Sequence, residues 1–593
     1  MSADKLVFDL SSEIESTTSV FVKKDWLNIL DNMNANYSSN QSVIDTSQLS
    51  NSNKYLSYRE AYLQIPLLIS LSNPSTALGL ATFSPATPAT TADYSIGLKN
   101  WFGQIIHSFT LDYNGTTIIQ QTPYINMWNS FRLMTSMSMA DVDTQGSSIG
   151  FYPDDPLAFS FQPTLSTSGQ GCCNNMISPL GLTASPTISL LLNQYKATAG
   201  NLGYLKRIQY INYDPDATAG SGAGAYSTLQ TAASCAQLWK SHIFNKINGV
   251  NGTQAGILQI AVSATVYLKH IHSFFQMCPL LKGVFMKMTL NLNNSSVTFT
   301  NATGAPNTTM LLTSVTNPVG GVCPLMLSAA AYDDVAAAGG NIALSNLGVG
   351  TYIASVCVGA TVLLSSQASI TGMGKGPINQ SIYLYVPSYT FNPVFEQAYL
   401  SSPIKKIEYT DVYQYQVVNI SAGSPFNNLI TNGISNVKSV LILPFFSATA
   451  GIANTGLPIA IPVYQSPFDP AGTGPTSPLC ALTNFNVVVS GQNAIYNTQM
   501  RGYEQFNDQL YGANAVNGGL TDGLTSSLIN SLGFELGYSY YYVNVGRMLP
   551  VEQSVPKSIQ IIGTNLSAKA LDLFVFVEYA TSVSVDALSG SRI

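Results

Sequence analysis

Four histidines, His107, His242, His270 and His272, have the widest chemical reach in this chain, and only His270 and His272 stand close together. An interval of two puts both on one face of a strand, where paired imidazoles could bind a metal if acidic or thiolate ligands joined them. No such ligand cluster surrounds them in the sequence. Gly372-Met-Gly-Lys-Gly376 has the outline of a phosphate loop, but Ser369 replaces the first glycine of that spacing. Gly376 stands where a serine or threonine would hold magnesium. It reads as a plain loop. Adjacent carboxylates at Asp154-Asp155 and Asp333-Asp334 point apart on irregular backbone, which suits a turn or a calcium contact better than acid and base across a glycosidic bond. No Gly-x-Ser-x-Gly elbow appears. The sequence therefore assigns no catalytic, cofactor-binding or metal-binding residue and no cofactor, and the expectation is that the chain is not an enzyme.

Seven cysteines, at 172, 173, 235, 278, 323, 357 and 480, are odd in number and lack Cys-x-x-Cys spacing. A disulfide scaffold or zinc ribbon is not expected. All seven read as reduced thiols, which with the absence of a basic flank and apolar core in Met1-Ser-Ala-Asp-Lys-Leu points to synthesis inside the cell. The apolar run Leu347 to Leu364 is interrupted by Gly348, Gly350, Thr351, Ser355, Gly359 and Thr361, so it reads as strand rather than membrane span.

Composition limits what the surface can do. Only 9% of the 593 residues are charged, against about 25% in ordinary soluble proteins. A surface of Ser, Thr, Asn, Gln and Gly generates little repulsion between copies and is expected to be buried against partner subunits. The net charge of −6, with Lys23-Lys24 and Lys405-Lys406 as isolated pairs, argues against a nucleic-acid coat. The 32 tyrosines against four tryptophans supply amphipathic contact area suited to subunit interfaces or to glycan platforms.

These residues are carried by elements that occur twice. Phe109 to Thr122 and Phe485 to Thr498 both read as hairpins, turning at Asn114-Gly115 and Ser490-Gly491. Ile65-Pro66-Leu67-Leu68 and Leu443-Pro444-Phe445-Phe446 precede them at nearly the same interval and read as strand starts. Each hairpin is followed by a helical pattern, Tyr124 to Met134 with Trp128 and Phe131 on one face, and Gln499 to Leu510 with Tyr503 and Phe506. Other strands are expected at Tyr58–Leu71, Ile257–Leu268, Val284–Leu292 and Ile382–Val386. In Leu571 to Tyr579 the odd positions form one apolar face while Asp572, Phe574, Phe576 and Glu578 form another, expected to be covered. Long Gly/Ser/Thr segments at 72–96, 139–203, 294–380 and 510–535 read as loops. Trp26, Ile29 and Leu30 are spaced for one turn of amphipathic helix in an arm. Two tandem copies of many short strands predict an all-β chain, a double jelly roll of two eight-stranded sandwiches with long loops and a few short helices.

Leu268-Lys-His-Ile-His-Ser-Phe-Phe275, Leu280 to Asn293, Tyr383-Leu-Tyr-Val-Pro-Ser-Tyr-Thr-Phe-Asn-Pro393 and Tyr464-Gln-Ser-Pro-Phe468 resemble segments of the major capsid proteins of virophages and polinton-like viruses, over about residues 55 to 580. The resemblance implies a homotrimeric capsomer of pseudo-hexagonal outline, tiling with other capsomers, penton and minor capsid proteins into an icosahedral shell around double-stranded DNA. It implies a place in the virion after assembly inside the host cell, and neither sequence-specific nucleic-acid binding nor a membrane span. The expected division is an N-terminal arm over 1–40, a first jelly roll with loop insertions over 41–398, a second over 399–585 and a C-terminal tail over 586–593. The alternative is a glycan-binding attachment protein built from jelly rolls, and a carbohydrate-active enzyme is a third reading.

Overall fold

The computed structural model describes residues 19–50, 54–73, 95–154, 202–207, 209–210, 241–247, 256–302, 309–328, 350–359, 381–447, 462–467, 476, 480–495, 502–516, 528–545, 554–567 and 570–593. Eight strands build the first sandwich: β1 Phe21–Leu30, β2 Gln41–Asp45, β3 Tyr62–Asn73, β4 Ile106–Tyr113, β5 Thr116–Ile119, β6 Gly256–Tyr267, β7 Met286–Leu292 and β8 Tyr383–Phe391. The second repeats the series with β9 Ile404–Ile420, β10 Pro425–Ile434, β11 Val437–Phe446, β12 Leu482–Val489, β13 Gln492–Asn493, β14 Tyr541–Asn544, β15 Lys557–Asn565 and β16 Leu571–Asp586.

Pairing follows one rule in both. The first, eighth, third and sixth strands of each set form one antiparallel sheet, β1-β8-β3-β6 and β9-β16-β11-β14. The second, seventh, fourth and fifth form the other, β2-β7-β4-β5 and β10-β15-β12-β13. That order is the jelly roll, twice in one chain. Inward-facing residues such as Ile29, Leu63, Ile65, Leu111, Met288, Leu290 and Leu384 fill the first core, and Val440, Ile442, Val487, Ile561 and Val575 the second.

The repeated turns are equivalent. Asn114 and Gly115 have φ of 46° and 80°, Ser490 and Gly491 of 49° and 85°. Both pairs join the fourth and fifth strands through a turn with two left-handed residues, the geometry that matches strand twist. The first residue of each donates its N–H to a carbonyl at the start of the seventh strand, Asn114 to Phe285 just before β7 and Ser490 to Ser558 at the beginning of β15, each at 2.8 Å. A Cβ on either glycine would meet nothing within 4 Å, so Gly115→Ala and Gly491→Ala should cost only backbone strain. About 1 kcal/mol is expected in each sandwich by chemical denaturation. The two prolines share a strand but not a face. Pro66 lies in β3 on the outward side with Tyr62 and Gln64, whereas Pro444 in β11 pairs with Leu573 on the inward side. Neither begins its strand.

Two expectations are corrected. Trp26, Ile29 and Leu30 form no helical turn, because Phe21–Leu30 is a strand paired antiparallel with Tyr383–Phe391 and Ile29 is buried in the first core. Their spacing suits a helix, but hydrogen bonding to β8 decides. The 294–380 segment is not one loop. Ser295–Ala302, Thr309–Thr316 and Gly350–Val358 extend the β1-β8-β3-β6 sheet of the first sandwich from the edge of β3, and Leu325–Ser328 pairs with Ser95–Leu98. The last of the extending strands falls in the apolar run read as strand, and no described helix is long and apolar enough to cross a membrane. The segments at 139–203 and 510–535 likewise begin or end in helix.

Candidate assembly surface

The helix after each hairpin is where expected. α1, Ile125–Ser136, follows β5, and α2, Met139–Ile149, succeeds it behind a Ser138–Asp141 capping box. α3, Tyr503–Val516, and α4, Ser531–Leu536, lie between β13 and β14. α1 is wedged between the sandwiches, packed against β4 and hydrogen-bonded to Gln104 on its own side and lying on the outer face of the second one's β9-β16-β11-β14 sheet on the other. Trp128 stands 6.2 Å from the Phe576 ring, Tyr124 4.8 Å from Phe574, and Phe131 stacks on Tyr542 at 5.6 Å. Phe574 and Phe576 are fully buried, so the face whose alternation predicted a cover has one, supplied by the other sandwich.

Polar contacts hold the same seam. Thr122 donates to the Val412 carbonyl at 2.8 Å, Tyr409 to the Ile118 carbonyl at 2.8 Å, Ser273 to the Thr410 carbonyl at 2.6 Å and Lys99 to the Ser466 carbonyl at 2.7 Å. The carboxylate of Asp154 pairs with Arg207 at 2.6 Å while its carbonyl accepts from Tyr538 at 2.6 Å. Asp154 is thus an interior tie, not a calcium contact. The C-terminal residues are tied in as well, since Tyr113 and the Asn114 amide both donate to the Gly590 carbonyl at 2.8 Å.

His270 and His272 do not share a strand face. His270 sits in the helical turn Leu268–Ile271 against Trp101 and Tyr267, and His272 caps Ser273–Met277 and faces Asp411 of the second sandwich at 3.4 Å. Among the described residues no group of three or more His, Cys, Asp or Glu could hold a metal ion. No disulfide forms among the described cysteines, and Cys278, Cys323, Cys357 and Cys480 are buried. Burial raises the thiols of Cys278, Cys323 and Cys357, that of Cys357 to about 12. Asp155, Asp333-Asp334, Gly372–Gly376, His242's side chain and the cysteines at 172, 173 and 235 lie outside the described residues. The lysine pairs are solvated and locally matched, Lys23 with Asp25, Lys24 with Glu60 and Lys406 with Glu408, while Lys405 rests on Tyr399.

Burial makes the histidines a source of pH dependence. His107 is lowered to about 4 by burial, and His270 to about 3 by burial and then by Lys269 and Arg132. Both stay neutral in the fold but take up a proton near pH 6.5 when unfolded, so their stabilisation is complete above that pH and declines as pH falls toward their folded values. Between pH 7 and 5 each should cost up to about 2 kcal/mol. Burial raises Asp31 and Asp572, which act in the opposite sense on acidification. The difference in pH slope between wild type and His107→Gln isolates the histidine, and equal slopes would refute the assignment.

Sequence reasoning missed one surface. On the outer face of β1-β8-β3-β6, Trp26 packs 5.6 Å from Tyr62, which stacks on Tyr385 at 5.1 Å and meets Tyr267 at 5.6 Å. Trp26 is 50% exposed and Leu30 42%. The signal was the alternation in Tyr383-Leu384-Tyr385-Val386, with aromatic rings on the face away from the core.

No protein-family model and no curated protein sequence matches the chain. Among solved structures, a chain of the Sputnik virophage is similar at 11% identity and a TM-score of 0.46, covering 97% of this chain and 89% of that one. The Faustovirus major capsid protein is similar at 10% identity and 0.39, covering 98% and 94%, and the mavirus major capsid protein at 9% and 0.38, covering 98% and 92%. From its own strand order, the chain is an all-β double jelly roll.

Proposed function

We propose that this chain is the major capsid protein of a double-stranded DNA virus, a structural subunit rather than an enzyme. Three copies would form a pseudo-hexagonal capsomer, and capsomers would tile an icosahedral shell with penton and minor capsid proteins, assembled inside the host cell. The observation that carries this reading is the pairing of two like sandwiches across a packed seam in one subunit, which would give three copies six similar walls. The sequence resemblance to virophage capsid proteins supports it, as does a chain with 9% charged residues and little repulsion between copies.

Native mass spectrometry is the test. Three copies of the 63.3 kDa chain, about 190 kDa, and closed particles by negative-stain imaging are expected. A stable monomer or dimer that never forms particles would overturn the reading in favour of a glycan-binding attachment protein.

A further inference from the structure

An asparagine followed by glycine is prone to lose its side-chain amide, because glycine has no Cβ to shield its backbone nitrogen from the neighbouring carboxamide. Two such pairs, Asn114-Gly115 and Asn432-Gly433, fall among the described residues, and Asn248-Gly249, Asn251-Gly252 and Asn517-Gly518 lie outside them. The fold treats the two differently. The Asn114 carboxamide is held at both ends, its Nδ2 donating to the Gly590 carbonyl at 2.8 Å and its Oδ1 accepting from the Phe285 N–H at 3.0 Å. Asn432 and Gly433 sit in a bulge of β10. Thr431 pairs with Ile559 and Ile434 with Lys557, so the two residues between have no partner in β15. Both are exposed, and the Asn432 side chain makes no hydrogen bond among the described residues. Gly433 donates its N–H to Thr431 Oγ1 over a long 3.4 Å, and a Cβ built on it would meet nothing within 4 Å.

We propose that Asn432 is a site of spontaneous deamidation, through which the folded chain gains a carboxylate on the second sandwich, and that the fold protects Asn114 from the same reaction. The Gly433 nitrogen gives up its proton to solvent base and attacks Cγ of Asn432. The new C–N bond closes a succinimide ring, and the side-chain nitrogen leaves as ammonia. One water then opens the ring at either carbonyl, leaving aspartate or isoaspartate, with no change of oxidation state. The bulge suits both products. Isoaspartate lengthens the main chain by one carbon, and a stretch already out of the ladder takes this up without losing cross-strand hydrogen bonds. The charge arises close to Ile434, whose partner Lys557 makes no ion pair among the described residues. At Asn114 the same change would undo a turn of two successive left-handed residues and its tie to Gly590.

The full chain, folded and in denaturant, is held at mildly alkaline pH, and the peptides containing Asn114 and Asn432 are followed by mass spectrometry with fragmentation that separates aspartate from isoaspartate. In denaturant the two are expected to convert at similar rates, since both are Asn-Gly. In the folded chain Asn432 is expected to convert at close to its denatured rate. Asn114 is expected to be slower by about tenfold or more, because two hydrogen bonds must open before the attack. Gly433→Ala, with room for its methyl group, is expected to slow the reaction at Asn432 and to keep a melting temperature near that of wild type. If that variant proves unstable, the comparison of folded and denatured wild type decides alone. An Asn432 that stays intact in the folded chain while it converts in denaturant would overturn the proposal. So would equal rates at Asn114 and Asn432 in the folded chain.

Discussion

A chain lacking residues 1–30 is expected to lose cooperative folding altogether, not only assembly. The deletion removes β1, which pairs with β8 from Phe21↔Phe391 to Leu30↔Tyr383. It also strips Phe21 from its contacts with Tyr389 and Phe391 at 4.6 and 4.9 Å and takes Ile29 out of the first core. A ladder of this length is worth about 1 kcal/mol per hydrogen bond, and each apolar side chain buried adds about 1.5–3 kcal/mol. The sum is comparable to the ~5–15 kcal/mol that separates folded from unfolded domains. A deletion ending at residue 18 retains the strand and should fold. Soluble yield and thermal unfolding of the two deletions make the comparison, and a cooperative, wild-type-like melt for the longer one would show β1 to be dispensable.

The second large effect is expected at the seam between sandwiches. Phe576→Ala and Trp128→Ala each empty a fully enclosed aromatic site, for which about 3–5 kcal/mol is typical. Because the two side chains share a cavity wall, the double variant should lose less than the sum of the singles, with a coupling of about 0.5–3 kcal/mol. Tyr385→Ala, at the corresponding but half-buried position of the first sandwich, should cost the isolated chain far less. Denaturant titrations of the four variants test this. Equal losses at Phe576 and Tyr385 would show that the two faces are covered alike.

Much of the fold was legible because it depends on local chemistry. Asn114-Gly115 and Ser490-Gly491 declare their turns, since few residue pairs accept two successive left-handed conformations, and the periodicity of Tyr124 to Met134 declares a helix wherever it packs. The alternation of Asp572, Phe574, Phe576 and Glu578 announced a second covered face. What covered it was not legible, because α1 belongs to the other sandwich and no local pattern names a distant partner. The same limit misled the reading of Trp26, Ile29 and Leu30, whose spacing fits a helix turn and an edge strand with one open face equally well. Pairing with Tyr383–Phe391, at the far end of the same sandwich, settles it. The Gly-, Ser- and Thr-rich strands within 294–380 lack strong side-chain periodicity and become strands through hydrogen bonds at the free edge of β3. By itself the sequence determined the duplication, the all-β class and the absence of an evident catalytic motif, all properties of composition and short-range order. Only the tertiary structure decided which faces are sealed and which stay open, because burial is set by contacts between residues far apart in the chain.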